Sequence, residues 1–135
     1  LGLSQLKKID KFLSRRRELA INYDLAFENL KNCKPVQKKM RDISSNHLYI
    51  LKVNFKKLKK ARADLMREFK SVGIQTQVHY IPVTSHPYFR KKNFKKHNLF
   101  NAYQYYDSAL SIPLFYDLTD KEQRYVIEQV KKLIG

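Results

Sequence analysis

The segment most informative about the fold is His47-Leu48-Tyr49-Ile50-Leu51-Lys52-Val53-Asn54-Phe55. It is rich in aliphatic, β-branched and aromatic side chains, which pack well on a pleated surface. Its apolar residues run almost without interruption, a pattern typical of a central strand covered on both faces. We therefore predict a central strand over residues 47–55.

The residues after this segment predict a helix and then a second strand. One face of the helix is marked by Leu58, Ala61, Leu65, Phe69 and Val72, and Gly73 follows where a helix end favours glycine. Residues 74–81 alternate as a strand does, which places Gln75, Gln77 and His79 on one face, opposite Ile74, Thr76, Val78 and Tyr80. A polar row of this kind indicates either a solvated face or a polar cleft, and both interpretations stay open.

The residues before the segment predict one long helix. Its apolar stripe has alternating three- and four-residue spacing, interrupted only by Arg16, and comprises Leu6, Ile9, Leu13, Ala20, Tyr23, Phe27 and Leu30. No capping residue precedes Leu1, so we expect the chain to begin inside a helix, as a piece of a longer polypeptide. The same stripe would also suit a coiled-coil interaction module. Pro35 ends the helix, and a short edge strand is expected around Val36.

The C-terminal third predicts a loop from Pro82 to about His97, a helix over Leu99–Tyr106 and a strand over Ala109–Leu114. Thr119 and Glu122 form a capping-box pattern that opens a last helix. Helices and short strands thus alternate along the chain. We predict the fold class α/β, a two-layer domain.

Composition supports one folded domain. The chain has 135 residues, of which 43% are hydrophobic, enough to bury a core. No apolar run approaches 18 residues, so we expect no membrane span. Cys33 is the single cysteine, which excludes an internal disulfide and fits a cytoplasmic location.

The charge raises a nucleic-acid partner as an alternative function. The formal net charge is +16, and eleven basic residues with one acid, Asp42, lie between Lys31 and Arg62. A second basic cluster, Arg90-Lys91-Lys92 with Lys95 and Lys96, sits near Phe89 and Phe94. Lysines that merely fill a solvated surface would give the same composition. The alternative of a small basic nucleic-acid-binding domain therefore stays open beside that of a solvated surface.

Motifs for chemistry are scarce. The chain has no nucleophile elbow and no Gly-rich phosphate loop. The four histidines, at 47, 79, 86 and 97, lack the i, i+4 spacing of a helical metal site. His79 attracts attention because it shares a strand face with two glutamines and leads into His86-Pro87-Tyr88-Phe89.

Four stretches together resemble the C-terminal domain of the DegT/DnrJ/EryC1/StrS family of pyridoxal-phosphate (PLP) sugar aminotransferases. They are Leu1–Leu6, Ser45–Tyr49, Gly73–Val83 with the following His86–Phe89, and Leu110–Phe115 with Leu118–Thr119. The run Val78-His79-Tyr80-Ile81-Pro82 most resembles the branch that makes the 4-amino sugar precursor of pseudaminic acid. Thr84 stands where many relatives carry His, so the exact sugar stays open.

The resemblance implies a short, mostly antiparallel sheet covered by helices, as in the C-terminal domain of fold type I aminotransferases. Residues 1–32 would be a long helix linking to a large domain that this chain lacks, and residues 33–135 the small domain. The function implied is transfer of an amino group from glutamate to a nucleotide-linked 4-keto-6-deoxy sugar. The full-length enzyme would be a homodimer and bind PLP. The fragment alone would bind none and be inactive, because the Schiff-base lysine lies in the large domain.

The same resemblance implies substrate-binding roles for His79, Tyr80, His86 and Tyr88. It implies no catalytic or metal-binding residue in this chain, no membrane association and no specific nucleic acid. Neighbouring residues of a strand point to opposite faces, so only one of His79 and Tyr80 can enter a given cleft.

Overall fold

The sheet is built around the predicted central strand. In the computed structural model, which describes residues 2–91 and 99–135, the strands are β1 (Cys33–Pro35), β2 (Tyr49–Val53) and β3 (Ala109–Ile112). β2 lies between the other two and pairs antiparallel with both. Cys33 lies opposite Val53, and Leu51 lies opposite Leu110. The antiparallel sheet confirms the predicted fold class.

The two faces of β2 differ in burial. Tyr49, Leu51 and Val53 point into the core and are buried, whereas Ile50 is half-buried and Lys52 is exposed. The prediction that both faces are covered was therefore wrong along part of the strand. Because nearly every residue of the run is apolar, the sequence does not show the alternation of buried and exposed side chains that this antiparallel strand has.

The helices pack mainly on the buried face of the sheet. In chain order they are α1 (Gly2–Leu6), α2 (Ile9–Ala26), α3 (Phe55–Leu58), α4 (Arg62–Ser71), α5 (Pro87–Lys91), α6 (Phe100–Ser108) and α7 (Asp120–Ile134), with a 3-10 turn at Val83–Ser85. Buried side chains from α2, α4 and α7 meet the sheet in one core: Leu19, Tyr23, Leu65, Phe69, Val126, Val130 and Ile134 among them. This arrangement gives the two layers.

The predicted long N-terminal helix is interrupted and shorter than expected. A turn at Lys7 and Lys8 separates α1 from α2, and α2 ends at Ala26 rather than near Asn32. Only the second half of the stripe enters the core, while Leu6 and Ile9 are exposed. The spacing identified the helix but not which part of its apolar face the rest of this chain covers.

The second predicted strand, residues 74–81, does not form a ladder. Gln77 alone pairs with Ser111, through Gln77 N–H to Ser111 O at 3.1 Å and Ser111 N–H to Gln77 O at 2.8 Å. Continued pairing would place Gln75 opposite Pro113, which has no N–H to donate. The alternation of burial survives here, since Ile74 and Thr76 are buried and Gln75 and Gln77 are exposed.

The helix ends that local sequence signals predict are confirmed at α4 and α7. Gly73 follows α4 with a φ of 78°, in the left-handed region that favours glycine. At α7, Thr119 accepts from Glu122 N–H, and the Glu122 carboxylate accepts from Thr119 N–H, so the predicted capping box is confirmed. The predicted helix over Leu99–Tyr106 is observed as α6. Part of the second basic cluster, Lys92, Phe94, Lys95 and Lys96, lies outside the described residues, as does His97.

Candidate functional site

The bridge between Gln77 and Ser111 creates a polar recess on the outer face of the sheet. Paired residues in an antiparallel bridge project to the same face, so the side chains of Gln77 and Ser111 lie side by side. The recess has a volume of about 200 Å³. It is lined by Leu48, Gln75, Gln77, His79, Ser111, Ile112, Pro113 and Leu114. At this recess Gln75 and Gln77 are exposed and His79 is half-buried, so both interpretations of the polar row stay open.

His79 is held in this recess by a buried hydroxyl. Its Nδ1 lies 2.8 Å from Ser111 Oγ, and Ser111 is only 5% exposed. Because Nδ1 is engaged by the hydroxyl, the imidazole ring has a set orientation and Nε2 is the nitrogen that can serve a ligand. Together with the two glutamine amides, the recess can donate to and accept from a hydroxylated ligand.

Helix α6 fixes the segment that carries His79. The hydroxyl of Tyr105 donates to the carbonyl oxygen of His79 at 2.9 Å, and burial raises the pKa of that hydroxyl. Two residues earlier on α6, the hydroxyl of Tyr103 lies 2.9 Å from Thr84 Oγ1 and accepts from Ser85 Oγ at 3.3 Å. Both ends of residues 79–85 are therefore anchored to one helix.

The four predicted substrate-binding residues occupy different surroundings. His79 lines the recess, while Tyr80 is 71% exposed and meets the His79 ring edge-to-face at 4.6 Å between centroids. His86 ends the 3-10 turn and is exposed. Tyr88 lies on α5, is also exposed, and contacts Phe89 edge-to-face at 5.2 Å. Of the four, only His79 is a lining residue of the recess, and all four roles remain predictions.

Ser111, Tyr103 and Tyr105 were not identified as site residues from the sequence. Each sits in a segment whose secondary structure was predicted, but its partner lies 18 to 32 residues away along the chain. No local pattern encodes those pairings. The polar Ser within the apolar run Ala109-Leu110-Ser111-Ile112 is the one signal that could have pointed to a buried hydroxyl with a partner.

The recess does not by itself fit pyridoxal phosphate. PLP enzymes hold the cofactor through a lysine Schiff base and pair its ring nitrogen with an acid. The residues lining the recess include neither a lysine nor a carboxylate. Over residues 2–91 and 99–135, there is also no cluster of His, Cys, Asp and Glu suited to a metal ion. The recess is thus suited to positioning a ligand rather than to carrying the cofactor.

Comparison with known proteins defines the class of protein to which this fold and recess belong. The model of the DegT/DnrJ/EryC1/StrS aminotransferase family matches residues 1–131, so the chain belongs to that family. It is 36% identical to the spore coat polysaccharide biosynthesis protein SpsC of Bacillus subtilis over 99% of the chain and 35% of that protein. It is 33% identical to the UDP-4-amino-4,6-dideoxy-N-acetyl-beta-L-altrosamine transaminase of Campylobacter jejuni, over 98% of the chain and 36% of that protein.

Solved structures show the same relationship. The chain superposes on PseC of Helicobacter pylori, an aminotransferase of pseudaminic acid biosynthesis, with a TM-score of 0.89 and 28% identity. That match covers 98% of this chain and 35% of PseC. It also superposes on Spr1654 of Streptococcus pneumoniae in its PLP form, with a TM-score of 0.84 and 29% identity, over 98% of this chain and 33% of that one. PLP is therefore a cofactor found in the family.

These matches cover only part of each relative. It spans about a third of the length of the relatives it matches. In the described ranges, no helix has the length and apolar character needed to cross a bilayer.

Proposed function

We propose that this chain is the C-terminal, substrate-facing domain of a PLP-dependent sugar aminotransferase. Residues 1–32 would link it to a large domain and residues 33–135 would form the small domain itself. The observation that carries the proposal is the polar recess in which Ser111 orients His79. Its volume of about 200 Å³ is below the roughly 300–1,000 Å³ of a complete small-molecule site, as expected for one wall of a shared site.

In this proposal, the recess binds the sugar part of a nucleotide-linked 4-keto-6-deoxy hexose. The His79 ring and the amides of Gln75 and Gln77 would form hydrogen bonds to hydroxyl or acetamido groups and so orient the carbonyl to be aminated. Support comes from the Campylobacter jejuni relative, whose name describes a transaminase of a UDP-linked 4-amino-4,6-dideoxy sugar. Glutamate would be the amino donor.

The exposed Tyr80, His86 and Tyr88 would complete the substrate surface once the rest of the enzyme is present. Bound PLP would supply the electron sink for amino transfer, in a part of the protein that provides its lysine and acid. We assign no step of the transfer to residues of this chain. The complete enzyme would act as a cytoplasmic homodimer, and the isolated chain would bind no PLP and transfer no amino group.

The test uses the full-length polypeptide that contains this chain. Purified enzyme is given glutamate and a UDP-linked 4-keto-6-deoxy N-acetylhexosamine, and the amino sugar is measured by mass spectrometry. Absence of PLP from the purified protein, or absence of amino transfer to any keto-sugar nucleotide, would contradict the proposed function.

Two histidine-to-alanine variants test the role of the recess. His79→Ala should raise the KM for the keto-sugar by about two- to tenfold, because one hydrogen bond contributes about 0.5–1.5 kcal/mol. The rate of the half-reaction with glutamate should stay unchanged. His47→Ala is the matched control, since His47 is exposed and does not line the recess. Equal effects of the two substitutions would show that the recess does not bind the sugar.

A further inference from the structure

Five lysines converge on a second recess at the other end of the outer sheet face. Four of them lie in three elements, Lys34 in β1, Lys52 in β2 and Lys56 and Lys57 in α3, and Lys31 precedes β1. The recess has a volume of about 600 Å³. Its remaining lining residues are Asn32, Cys33, Val53, Asn54, Phe55, Gln104, Asp107 and Ser108, so the described lining includes five exposed lysines and one carboxylate, that of Asp107.

The strand register and a helix cap place these charges together. Lys34 lies directly opposite Lys52 in the β1–β2 ladder, so both side chains project to the same face. Asn54 joins the sheet to α3: its N–H donates to Asn32 O at 2.8 Å, and its side-chain oxygen accepts from Lys57 N–H at 3.0 Å. Like charges placed directly opposite each other destabilise a sheet. The placement of Lys34 opposite Lys52 is therefore unfavourable to the sheet, and a bound anion would relieve this repulsion.

Three other cations of the same basic segment have partners within the molecule. Arg41 forms an ion pair with Asp24 at 2.9 Å, and Lys60 forms one with Glu68 at 2.7 Å. The guanidinium of Arg62 lies over the Tyr106 ring, 4.4 Å from its centroid. These three cations are therefore less available to a ligand than the five exposed lysines of the recess.

We propose that this lysine recess binds a small anion with adjacent phosphates, such as pyrophosphate or a nucleoside diphosphate. Lysine acts on phosphate as a point charge and needs no bidentate geometry. A volume of about 600 Å³ lies within the range of small-molecule sites. A nucleic-acid strand would instead require cations that continue beyond the recess, and several neighbouring ones are engaged as described. The lysine recess shares no lining residue with the His79 recess, so this proposal stands independently of the proposed function.

The first experiment measures binding of pyrophosphate, ADP and oligothymidylate to the full-length protein by calorimetry at low salt. The triple variant Lys34→Gln/Lys52→Gln/Lys56→Gln should bind pyrophosphate and ADP about tenfold more weakly, since each exposed charge contributes modestly. The control Lys121→Gln/Lys131→Gln/Lys132→Gln loses the same charge from exposed positions on α7 and should change affinity less than about twofold. An equal loss of affinity in both variants would overturn the proposal, because it would show that the anions are attracted only by the overall positive charge of the protein. Tighter binding of oligothymidylate than of ADP, with the same dependence on the three lysines, would overturn it in favour of a nucleic acid.

A second measurement needs no variant. Acetylation of lysine amines with an N-hydroxysuccinimide ester is followed site by site by mass spectrometry, with and without pyrophosphate or ADP. Both ligands should slow modification of the five recess lysines and leave Lys121 and Lys131 unchanged. Unchanged rates at the recess lysines would overturn the proposal. So would amines already protected without ligand, because the recess would then be covered by another part of the protein.

Discussion

The guanidinium of Arg41 lies in the interior of the domain, although its sequence neighbours are those of a basic surface loop. Its Nε and Nη2 donate to the two carboxylate oxygens of Asp24 at 2.9 and 3.0 Å, and its Nη1 donates to Asn46 Oδ1 at 3.2 Å. The hydroxyl of Tyr49 donates to the same carboxylate at 2.8 Å, and burial raises the pKa of that hydroxyl well above its usual range. Arg41 thus joins the loop before β2 to α2 and the sheet.

Removing the guanidinium should therefore destabilise the fold strongly. Arg41→Met leaves the half-buried Asp24 carboxylate without its ion-pair partner, although the Tyr49 hydroxyl still donates to it, and losing one member of a largely buried pair costs up to about 3–5 kcal/mol. Urea unfolding should show a fall in the free energy of unfolding of about 3 kcal/mol. Lys39→Met, in the same loop but exposed, should stay within about 0.5 kcal/mol of the parent. A loss below about 1 kcal/mol for Arg41→Met would show that the pair is not needed for stability.

Cys33 should be chemically inert in the folded chain. It is 2% exposed, and burial raises the pKa of its thiol to about 11 from 9.0. A shift of that size reduces the thiolate fraction at neutral pH by about a hundredfold. Reaction with Ellman's reagent, followed by absorbance, should be at least about a hundredfold slower in buffer than in urea. Comparable rates in the two conditions would mean that the thiol is accessible.

At the scale of elements, two carboxylates hold the N-terminus of α7, and we expect their contribution to stability to be lost in acid. Arg15 Nη2 donates to Asp120 Oδ1 at 2.7 Å, which lowers the pKa of the Asp120 carboxyl. The Thr119 N–H donates to the Glu122 carboxylate and lowers its pKa as well. Both carboxylates lie in the first turn, where the helix dipole also favours negative charge.

The sign of the pH dependence follows from these lowered values. A carboxylate with a depressed pKa in the folded state contributes stability above its unfolded pKa, and this contribution is lost as the pH falls through the folded value. The urea midpoint should therefore drop as the pH is lowered from about 5 to about 3. Asp120→Asn should lower the midpoint at neutral pH and flatten this drop. Glu128→Gln, a control at an exposed position on the same helix, should leave the slope unchanged; an equal flattening there would argue against a specific Arg15–Asp120 contribution.

At the scale of the whole molecule, α1 and α2 show which apolar surface this chain covers and which it leaves exposed. Leu19 is fully buried against the sheet, whereas Leu3, Leu6 and Ile9 are 71%, 62% and 41% exposed. The apolar face of the N-terminal half thus continues the stripe without contacting the core. This open surface is consistent with the proposed attachment to a large domain.

One substitution in the buried part of α2 and one in the exposed part of α1 distinguish the two surfaces. Leu19→Ala should lower the free energy of unfolding of this chain by about 2–5 kcal/mol, because it opens a cavity in the core. Leu6→Ser should change it by less than about 0.5 kcal/mol, since that side chain is exposed. Urea unfolding followed by circular dichroism provides the comparison. Similar losses for the two variants would mean that the exposed half packs against something in solution, as a coiled coil would require.

Local signals alone determined much of this protein. The apolar run at residues 47–55 identified the central strand, Gly73 the end of α4, and Thr119 with Glu122 the start of α7, because each depends on neighbours within one or two turns. The motifs around His79 likewise pointed to the family. Tertiary structure alone decided that residues 74–81 pair only through Gln77, that Ser111 orients His79, that Arg41 is buried and that five lysines share one recess. Each of these depends on residues brought together by strand pairing and helix packing across long sequence separations, and no periodicity within a single segment encodes which partner will be met.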